Sequence, residues 1–475
     1  MKYLIEDMEP ALPFHYFEEI AAIPRPTGRE QEIADYLCAF AREHALFVYR
    51  DAANNVLIKK PATKGRENEP ALLLQAHTDM VAEKNEDVLH DFTRDPIRLV
   101  REGNILHAAG TTLGADDGSG VAMMLALLCE APSHPPLECL FTSSEEVGLV
   151  GAAAFDYSLI SARRMFNLDG GCEKEIVIGC CGGLRTDVSF SASRADCKGE
   201  GISLCITGLC GGHSGEDIDR GRGNALSLMA EWLHAIGART DLRIISLHGG
   251  DKDNAIPREC RAEIAVPHAA PVLPLLEAQG EVLKRRCAAP EDAACSFRLG
   301  CCEVSAAFTA EDSEKILHLL ASKGGVLARR ADGTPHTSRN IASVRTTDEG
   351  VQLTASARSY DGTEIEKWRD ELVARATAVG ASALHRGAYP GWESPADSAL
   401  IALIADAFCQ VGGERPMPVV IHAGLECGLI TNRLPGMVAA SMGPNANNFH
   451  TPAECMELDS FARFYRALLR FLEIC

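Results

Sequence analysis

The sequence has no long apolar run, no C-x-x-C cysteine pair and comparatively little positive charge. Its longest uninterrupted apolar stretch, Val121 to Cys129, covers nine residues and is too short to span a bilayer. None of the 18 cysteines belongs to a C-x-x-C pair, and the N-terminus lacks an apolar core of signal-peptide length. We therefore expect a cytoplasmic protein with reduced thiols and no membrane partner.

Charge and missing motifs exclude further classes of protein. The chain has 475 residues with 46 Lys and Arg against 66 Asp and Glu, which gives a net charge of −20. Such an acidic surface repels phosphate backbones, so we expect no nucleic-acid partner. The sequence also lacks the G-x-S-x-G elbow of serine hydrolases and the spacing of a phosphate-binding P-loop.

Predicted helices and strands alternate over the first 180 or so residues and again near the C-terminus. The apolar run Ala71–Gln75 suits a strand buried on both faces, and Thr27 to Glu30 fits a capping box that opens a helix. This alternation predicts an α/β fold with a central mixed sheet flanked by helices. We predict that residues 1–185 and 389–475 form this domain, and that residues 186–388 form an inserted α+β domain.

Carboxylates and imidazoles recur where predicted strands end. These residues are His77 and Asp79, Asp116 and Asp117, Glu145 and Glu146, Asp169, and His450. A single strand-end Asp is usually a turn or helix cap, and a single His is usually solvated or hydrogen-bonded. Five such clusters, however, would meet at the carboxyl ends of strands, where open α/β sheets bind ligands.

Acids gathered at one crevice repel one another, and the sequence places no Lys or Arg among these clusters. Divalent cations bound among these acids are therefore the simplest way to neutralise their repulsion. Imidazole and carboxylate without thiolate suit a catalytic zinc-type site. Two-metal hydrolases share a carboxylate between the ions and activate a water molecule.

The motifs that contain these residues resemble those of dinuclear zinc exopeptidases related to carboxypeptidase G-type enzymes. The similarity is strongest to aminoacyl-histidine dipeptidases, also called Xaa-His or carnosinase-like dipeptidases. It covers nearly the whole chain, including the inserted domain, which corresponds to the lid of this family. The motifs are QAHTDMV (75–81), TTLGADDGSGVA (111–122), TSSEEVGLVGA (142–152), NLDG (167–170), GCCGG (179–183), GGHSGEDI (211–218), HAGLECG (422–428) and GPNANNFHTPAE (443–454).

The resemblance implies a complete set of metal ligands. His77 and Asp169 match the ligands of one metal ion, and Glu146 and His450 match those of the other. Asp116 matches the carboxylate that bridges both ions. The two ions are expected to be zinc, and cobalt or manganese would also suit the donors.

Three further residues match catalytic roles in the family. Asp79 matches the acid that holds His77 in its metal-binding tautomer. Glu145 matches the general base, so the adjacent glutamates Glu145 and Glu146 would have different tasks. His213 matches the lid histidine that stabilises the oxyanion of the tetrahedral intermediate.

Four residues are expected to contact substrate. Asn254 and Arg358 correspond to polar lid residues, and a guanidinium suits the free carboxylate of a dipeptide. His422 and Gly424 are expected to line the pocket. The alternative for Arg358 is a surface or interdomain salt bridge, and for Asn254 a role in a turn.

The implied function is metal-dependent hydrolysis of dipeptides, of the Xaa-His or β-alanyl-histidine type with a broad range. An N-acyl amino acid deacylase or a tripeptidase could use the same site. A non-catalytic protein that kept the fold is the third alternative, but such a protein would have lost a ligand or the base. The expected partner is a small peptide, and both a monomer and a homodimer formed through the lid remain open.

Overall fold

The computed structural model describes residues 4–5, 7–287, 289–322 and 324–475. The chain divides into two compact units, one formed by Met1–Cys180 with Trp392–Cys475 and one formed by Cys181–Gly391. We call these the sheet unit and the inserted unit. The predicted limits 185/186 and 388/389 lie a few residues inside the inserted unit as the structure divides the chain.

The helices and strands fall into three consecutive segments of the chain. The first segment of the sheet unit contains α1 (Ala11–Ala21), α2 (Gln31–Glu43), β1 (Phe47–Arg50), β2 (Val56–Lys60), β3 (Leu72–His77), β4 (Leu99–Glu102), β5 (Ile105–Ala108), α3 (Ala115–Glu130), β6 (Leu137–Thr142), α4 (Val150–Ala154), β7 (Arg164–Asn167) and β8 (Glu175–Cys180). The inserted unit contains β9 (Gly182–Ser191), β10 (Arg194–Asp196), β11 (Glu200–Thr207), β12 (Gly212–His213), α5 (Ala225–Gly237), β13 (Arg243–Gly249), β14 (Ala255–Ile256), β15 (Cys260–Val266), α6 (Leu273–Arg286), β16 (Ser296–Cys302), β17 (Ala306–Phe308), α7 (Ala310–Leu320), β18 (Gly325–Arg329), β19 (Pro335–Thr347), β20 (Gly350–Ser359), α8 (Gly362–Ala378) and β21 (Ser382–Tyr389). The second segment of the sheet unit contains β22 (Trp392–Glu393), α9 (Ala399–Gly412), β23 (Met417–Ile421), α10 (Glu426–Arg433), β24 (Val438–Ser441), β25 (Ala446–Asn447), β26 (Cys455–Glu457) and α11 (Leu458–Ile474).

The sheet unit is built on a mixed sheet with the strand order β1-β2-β6-β3-β7-β24-β8-β22, and β23 pairs with β8. The four central strands β6, β3, β7 and β24 are parallel to one another, whereas β2 and β8 run antiparallel to their inner neighbours. All six residues of β3 are buried, as its continuous apolar run predicts for a central strand. The predicted central mixed sheet is therefore confirmed.

Aromatic side chains fill the space between this sheet and the C-terminal helices. Phe166 on β7 packs edge-on against Phe471 of α11 at a ring distance of 5.4 Å, and Phe408 of α9 packs against Phe464 of α11 at 4.8 Å. Each such side chain, when fully buried, contributes about 1.5–3 kcal/mol of transfer free energy. This core fixes the central strands and, through them, the loops at their carboxyl ends.

These loops carry most of the predicted site. His77 ends β3, Glu145 and Glu146 follow β6, and Asp169 follows β7. Because the strands are parallel, their carboxyl ends lie at one edge of the sheet. The prediction that Asp116 also follows a strand of this sheet is wrong. Asp116 lies at the start of α3, and the preceding strand β5 belongs to a separate sheet of the order β25-β26-β5-β4.

The inserted unit is an α+β structure with its own hydrophobic core. Its main sheet is antiparallel, with the order β16-β11-β15-β13-β19-β20-β9-β21 and β18 paired with β19. The indole of Trp232 on α5 is buried, donates to the Leu276 carbonyl on α6 and contacts the ring of Phe297. None of the helices in the described part of the chain combines the length and apolarity needed to cross a bilayer.

Candidate metal centre

His77 lies among three acids of the sheet unit, with two facing one ring nitrogen and the third facing the other. Its Nε2 lies 2.8 Å from Asp116 Oδ1 and 4.0 Å from Asp169 Oδ1. Its Nδ1 lies 3.1 Å from the backbone oxygen of Asp79 and 3.5 Å from Asp79 Oδ1. The imidazole is buried, so its orientation is fixed by these neighbours. The Nε2 atom is the one presented to the acidic cluster.

His450 faces the other oxygen of Asp116. Its Nε2 lies 3.2 Å from Asp116 Oδ2 and 3.1 Å from Glu146 Oε1. The backbone of His450 is left-handed, with φ of 61°, and Ser144 before the two glutamates has φ of 51°. Residues other than glycine rarely adopt this conformation, and those that do are concentrated at functional sites.

Three groups of side chains bring one donor atom each to within 4.8 Å of one another. The groups are His77, Asp116 and Asp169; Asp116, Glu146 and His450; and His77, Glu145 and Glu146. The first two share Asp116, whose carboxylate lies between the two imidazoles. Nitrogen and carboxylate oxygen donors at this spacing fit divalent ions such as zinc.

The side chains of the centre have strongly perturbed pKa values. Burial opposes protonation of both imidazoles, but hydrogen bonds to carboxylates outweigh this effect. The partners of His77 are Asp116 and Asp79, and those of His450 are Asp116 and Glu146. They hold the pKa of His77 well above its usual range and raise the pKa of His450 to about 11. Burial also opposes ionisation of Asp116, but the two histidines lower the pKa of its carboxyl.

The other acids shift in the opposite direction. Burial, followed by the charge of Glu146, raises the pKa of Glu145 well above its usual range. Burial and the charge of Asp116 do the same for the pKa of Asp169 and raise that of Glu146. These buried carboxyls are close enough that their negative charges repel one another. A divalent cation bound among them would relieve this repulsion.

Asp117 does not share the orientation of its neighbour Asp116. Its carboxylate accepts the backbone N–H of His77 at 3.2 Å and that of Gly120 at 3.0 Å. Asp117 therefore ties the end of β3 to the first turn of α3. The two adjacent aspartates therefore have different surroundings.

The capping box predicted at Thr27 to Glu30 is not formed. Helix α2 begins at Gln31, and the Glu30 side chain does not cap it. The Thr27 hydroxyl instead donates to Asp79 Oδ2 at 2.9 Å, and Glu30 Oε1 accepts the backbone N–H and the hydroxyl of Ser144. Both polar side chains support loops of the centre, a tertiary role that overrides the local motif.

The buried guanidinium of Arg25 lies near these acids, although Arg25 is far from them in the sequence. The guanidinium of Arg25 donates to the backbone oxygens of Thr78, Asp79 and Gly114. Glu454, also buried, accepts backbone N–H groups of the loop that carries Asp116. Sequence reasoning missed both residues, because the signal lies in contacts between segments that are far apart in the chain.

Glu426 is a second buried acid that the sequence did not identify. It accepts hydrogen bonds from Gln75 and from the Thr142 hydroxyl, the latter at 2.6 Å, and Gln75 in turn accepts from Asn167 at 2.6 Å. Burial raises the pKa of Glu426 to about 7. The network joins β3, β6 and β7 just before the residues of the centre.

Three predicted site residues, His213, Asn254 and Arg358, lie in the inserted unit. His213 on β12 pairs with Ala255, its Nδ1 accepts the Glu216 N–H, and the Ser214 N–H donates to the Asn254 carbonyl at 2.8 Å. Arg358 is buried, and its Nη1 donates to the Tyr389 hydroxyl at 2.7 Å. Asn254, Arg358 and Tyr389 line the same small cavity.

His422 and Gly424 lie in the sheet unit, on the loop between β23 and α10. His422 is buried and Gly424 is half-buried. The loop leads directly into Glu426, the first residue of α10. This loop therefore links the predicted pocket residues His422 and Gly424 to the hydrogen-bond network of Glu426.

Comparisons with known proteins agree with this geometry. A family model described as Peptidase family M20/M25/M40 matches residues 73–474. Cytosol non-specific dipeptidase of Escherichia coli (strain K12) is 36% identical over 483 residues, covering 99% of this chain and 98% of that protein. The crystal structure of aminoacylhistidine dipeptidase from Vibrio alginolyticus matches with a TM-score of 0.83 and 35% identity, over 99% of this chain and 97% of that chain.

A tripeptidase of Staphylococcus aureus shares the fold at 18% identity, with a TM-score of 0.56 over 98% of this chain and 97% of that chain. The fold and these matches define a peptidase. The chain belongs to the peptidase family M20/M25/M40. The family resemblance and the α/β fold class with an inserted α+β lid, both predicted from the sequence, are confirmed.

Proposed function

We propose that this peptidase is a metal-dependent dipeptidase that hydrolyses Xaa-His or β-alanyl-histidine-type dipeptides with a broad range. The observation that carries the proposal is the position of Asp116, whose two oxygens face His77 and His450 and belong to two donor groups. The names of the relatives from E. coli and V. alginolyticus support the substrate class. The name of the E. coli relative also supports a cytoplasmic location.

The proposed cofactors are two divalent ions, zinc in preference to cobalt or manganese. His77, Asp116 and Asp169 would hold one ion, and Asp116, Glu146 and His450 would hold the other. When bound, the ions supply Lewis-acid activation of the amide carbonyl and of a water molecule. The imidazole of His77 is oriented for this role by Asp79 on its opposite nitrogen.

Glu145 is the proposed general base. A donor atom of its carboxylate lies within the group that includes His77 and Glu146, and burial raises its pKa well above the usual range, which favours a role in proton transfer. It takes a proton from the attacking water as the new C–O bond forms at the amide carbon. It then gives this proton to the amide nitrogen as the C–N bond breaks and the amino acid leaves.

The remaining candidates are proposed substrate contacts. His213 would donate to the developing oxyanion, which is the usual electrostatic contribution to acyl transfer. Arg358, with Asn254, would bind the free carboxylate, and the Tyr389 hydroxyl fixes one nitrogen of its guanidinium. His422 and Gly424 would border the site from the loop before α10.

Metal analysis combined with a substrate panel tests the proposal. The purified protein should contain two divalent ions per chain and release histidine from β-alanyl-histidine and from several Xaa-His dipeptides. It should act more slowly on tripeptides and on N-acetyl amino acids. A faster release of acetate from N-acetyl amino acids would assign a deacylase, and a preference for tripeptides would assign a tripeptidase. A metal-free protein with full activity would contradict the proposed mechanism.

A further inference from the structure

The Glu454 carboxylate accepts hydrogen bonds from the backbone of the loop that carries Asp116. Its Oε2 accepts the N–H groups of Leu113 at 2.8 Å and Gly114 at 3.0 Å. Its Oε1 accepts those of Ala115 at 2.8 Å and Asp116 at 3.3 Å. One buried carboxylate thus binds four successive amides at the start of α3, where a helix exposes unpaired N–H groups.

Arg25 holds the same loop from its carbonyl side. Its Nη2 donates to the Gly114 oxygen at 2.5 Å, while Nη1 donates to the oxygens of Thr78 at 3.0 Å and Asp79 at 3.1 Å. The planar guanidinium therefore connects the loop after β3 to the loop before α3. Arg25 is 2% exposed, so bulk water does not replace these bonds.

The chain leaves room for this close approach by having glycine at two positions. A Cβ atom added at Gly114 would lie 2.6 Å from Arg25 Nη2, and one added at Gly118 would lie 2.5 Å from the same atom. Gly114 also has φ of +72°, which L side chains rarely adopt. The guanidinium is thus built into the turn.

From these contacts we infer that Arg25 and Glu454 are positioning residues that set the orientation of Asp116 before any metal ion binds. In the described part of the chain their hydrogen bonds go to backbone atoms, so they act through the backbone of the Asp116 loop. Burial opposes the charge of Arg25, and the nearby carboxylates of Glu454, Asp79, Asp117 and Asp116 favour it. The inference rests on the proposed function, because it assigns a purpose to the preformed shape of that centre.

The test uses Glu454→Gln, which removes the charge, and the milder Arg25→Lys, which keeps the charge but loses the planar fork. Hydrogen exchange of the amides of residues 113–116 is measured in chelator-treated protein. Zinc affinities of both sites are then measured by competition with a chromophoric chelator. We expect faster exchange at these amides and a loss of about ten- to a hundredfold in zinc affinity.

Glu138→Gln is the matched control. Glu138 is also buried, accepts the N–H groups of Ser161 and Ala162, and pairs with Lys59 at 2.8 Å. It lies near the amino end of β6, the end opposite the centre. This variant should lose thermal stability but keep wild-type zinc affinities, which separates a general loss of packing from a specific effect on the Asp116 loop.

Two results would overturn the inference. In the first, Glu454→Gln and Arg25→Lys bind zinc with wild-type affinity. In the second, the zinc affinity falls but hydrogen exchange at the amides of residues 113–116 is not faster. A wild-type protein that binds fewer than two ions would instead refute the proposed function. Even if the proposed function fails, amide hydrogen exchange at residues 113–116 in metal-free protein still tests the positioning role.

Discussion

The Asp79 carboxylate accepts the backbone N–H of Glu145 at 3.0 Å. Its second oxygen accepts the N–H of Glu146 at 3.3 Å, and the buried carboxylate also lies 3.5 Å from His77 Nδ1. One acid after β3 therefore orients an imidazole on its own strand and the loop that follows β6. The proposed base and a proposed metal ligand depend on the same side chain.

Asp79→Asn should lower kcat by about ten- to a hundredfold, because Asn keeps hydrogen-bond acceptance but loses the charge that orients the His77 proton. Steady-state kinetics and metal content measure the effect. Thr27→Val is the control, since it removes one hydrogen bond to Asp79 and leaves the carboxylate in place. A wild-type kcat in Asp79→Asn would remove this residue from the mechanism.

Glu145→Gln should keep its metal ions and lose about a hundred- to ten-thousandfold in kcat, because the proposed base is absent while the proposed ligands remain. Glu146→Gln should behave differently and lose metal. Metal content and kcat of the two variants, measured side by side, separate the roles of the adjacent glutamates. Equal metal loss in both variants would argue against the assignment of base and ligand.

Metal affinity should rise with pH and fall as the pH is lowered from 8 to 6. The pKa of His77 and that of His450 lie above their usual range in the metal-free protein, so both imidazoles carry protons that a metal ion must displace. Calorimetry in two buffers with different ionisation enthalpies measures the proton release. Binding without proton release would show that these nitrogens are not ligands.

Glu426→Gln should alter the pH dependence of stability in metal-free protein. The pKa of Glu426 is raised to about 7 by burial, so the folded state binds its proton more tightly than the unfolded state does. Stability from this group is present at low pH and is lost as the pH rises to about 7. Relative to wild type, the variant should gain roughly 3 kcal/mol between pH 4.5 and 7.5.

Urea unfolding across this pH range measures the difference. Glu138→Gln is the control of opposite sign, because Lys59 and the backbone amides lower the pKa of Glu138 against the effect of burial. That variant should lose stability relative to wild type as the pH rises. A flat difference between Glu426→Gln and wild type would mean that Glu426 titrates at its ordinary pKa.

Tyr389→Phe should raise KM for dipeptides about three- to tenfold with little change in kcat, because it removes the hydroxyl that holds Arg358 Nη1. Arg358→Lys should have a larger effect of the same kind. Arg345→Lys is the control, since Arg345 is an exposed residue of β19. An unchanged KM for both variants would favour a purely structural role for Arg358.

Local pattern in the sequence was sufficient for the central strands and for the grouping of several candidate residues at their ends. The apolar run Ala71–Gln75 predicted a strand buried on both faces, and β3 is buried at all six of its residues. Apolar periodicity reports which positions face the core, and a strand buried on both faces is apolar at nearly every position. His77, Glu145, Glu146 and Asp169 then followed from their place at the ends of these strands, whereas Asp116 lies at the start of α3.

The sequence by itself identified the candidate metal-binding residues and the central strands that precede several of them. Only the tertiary structure decided how buried charges are paired: Arg25 with the loops of Asp79 and Gly114, Glu454 with four amides of the Asp116 loop, and Thr27 with Asp79 instead of its own helix. These contacts join segments up to 341 residues apart, and no local period records them. Burial makes them strong, because a polar group removed from water must find its partner within the fold.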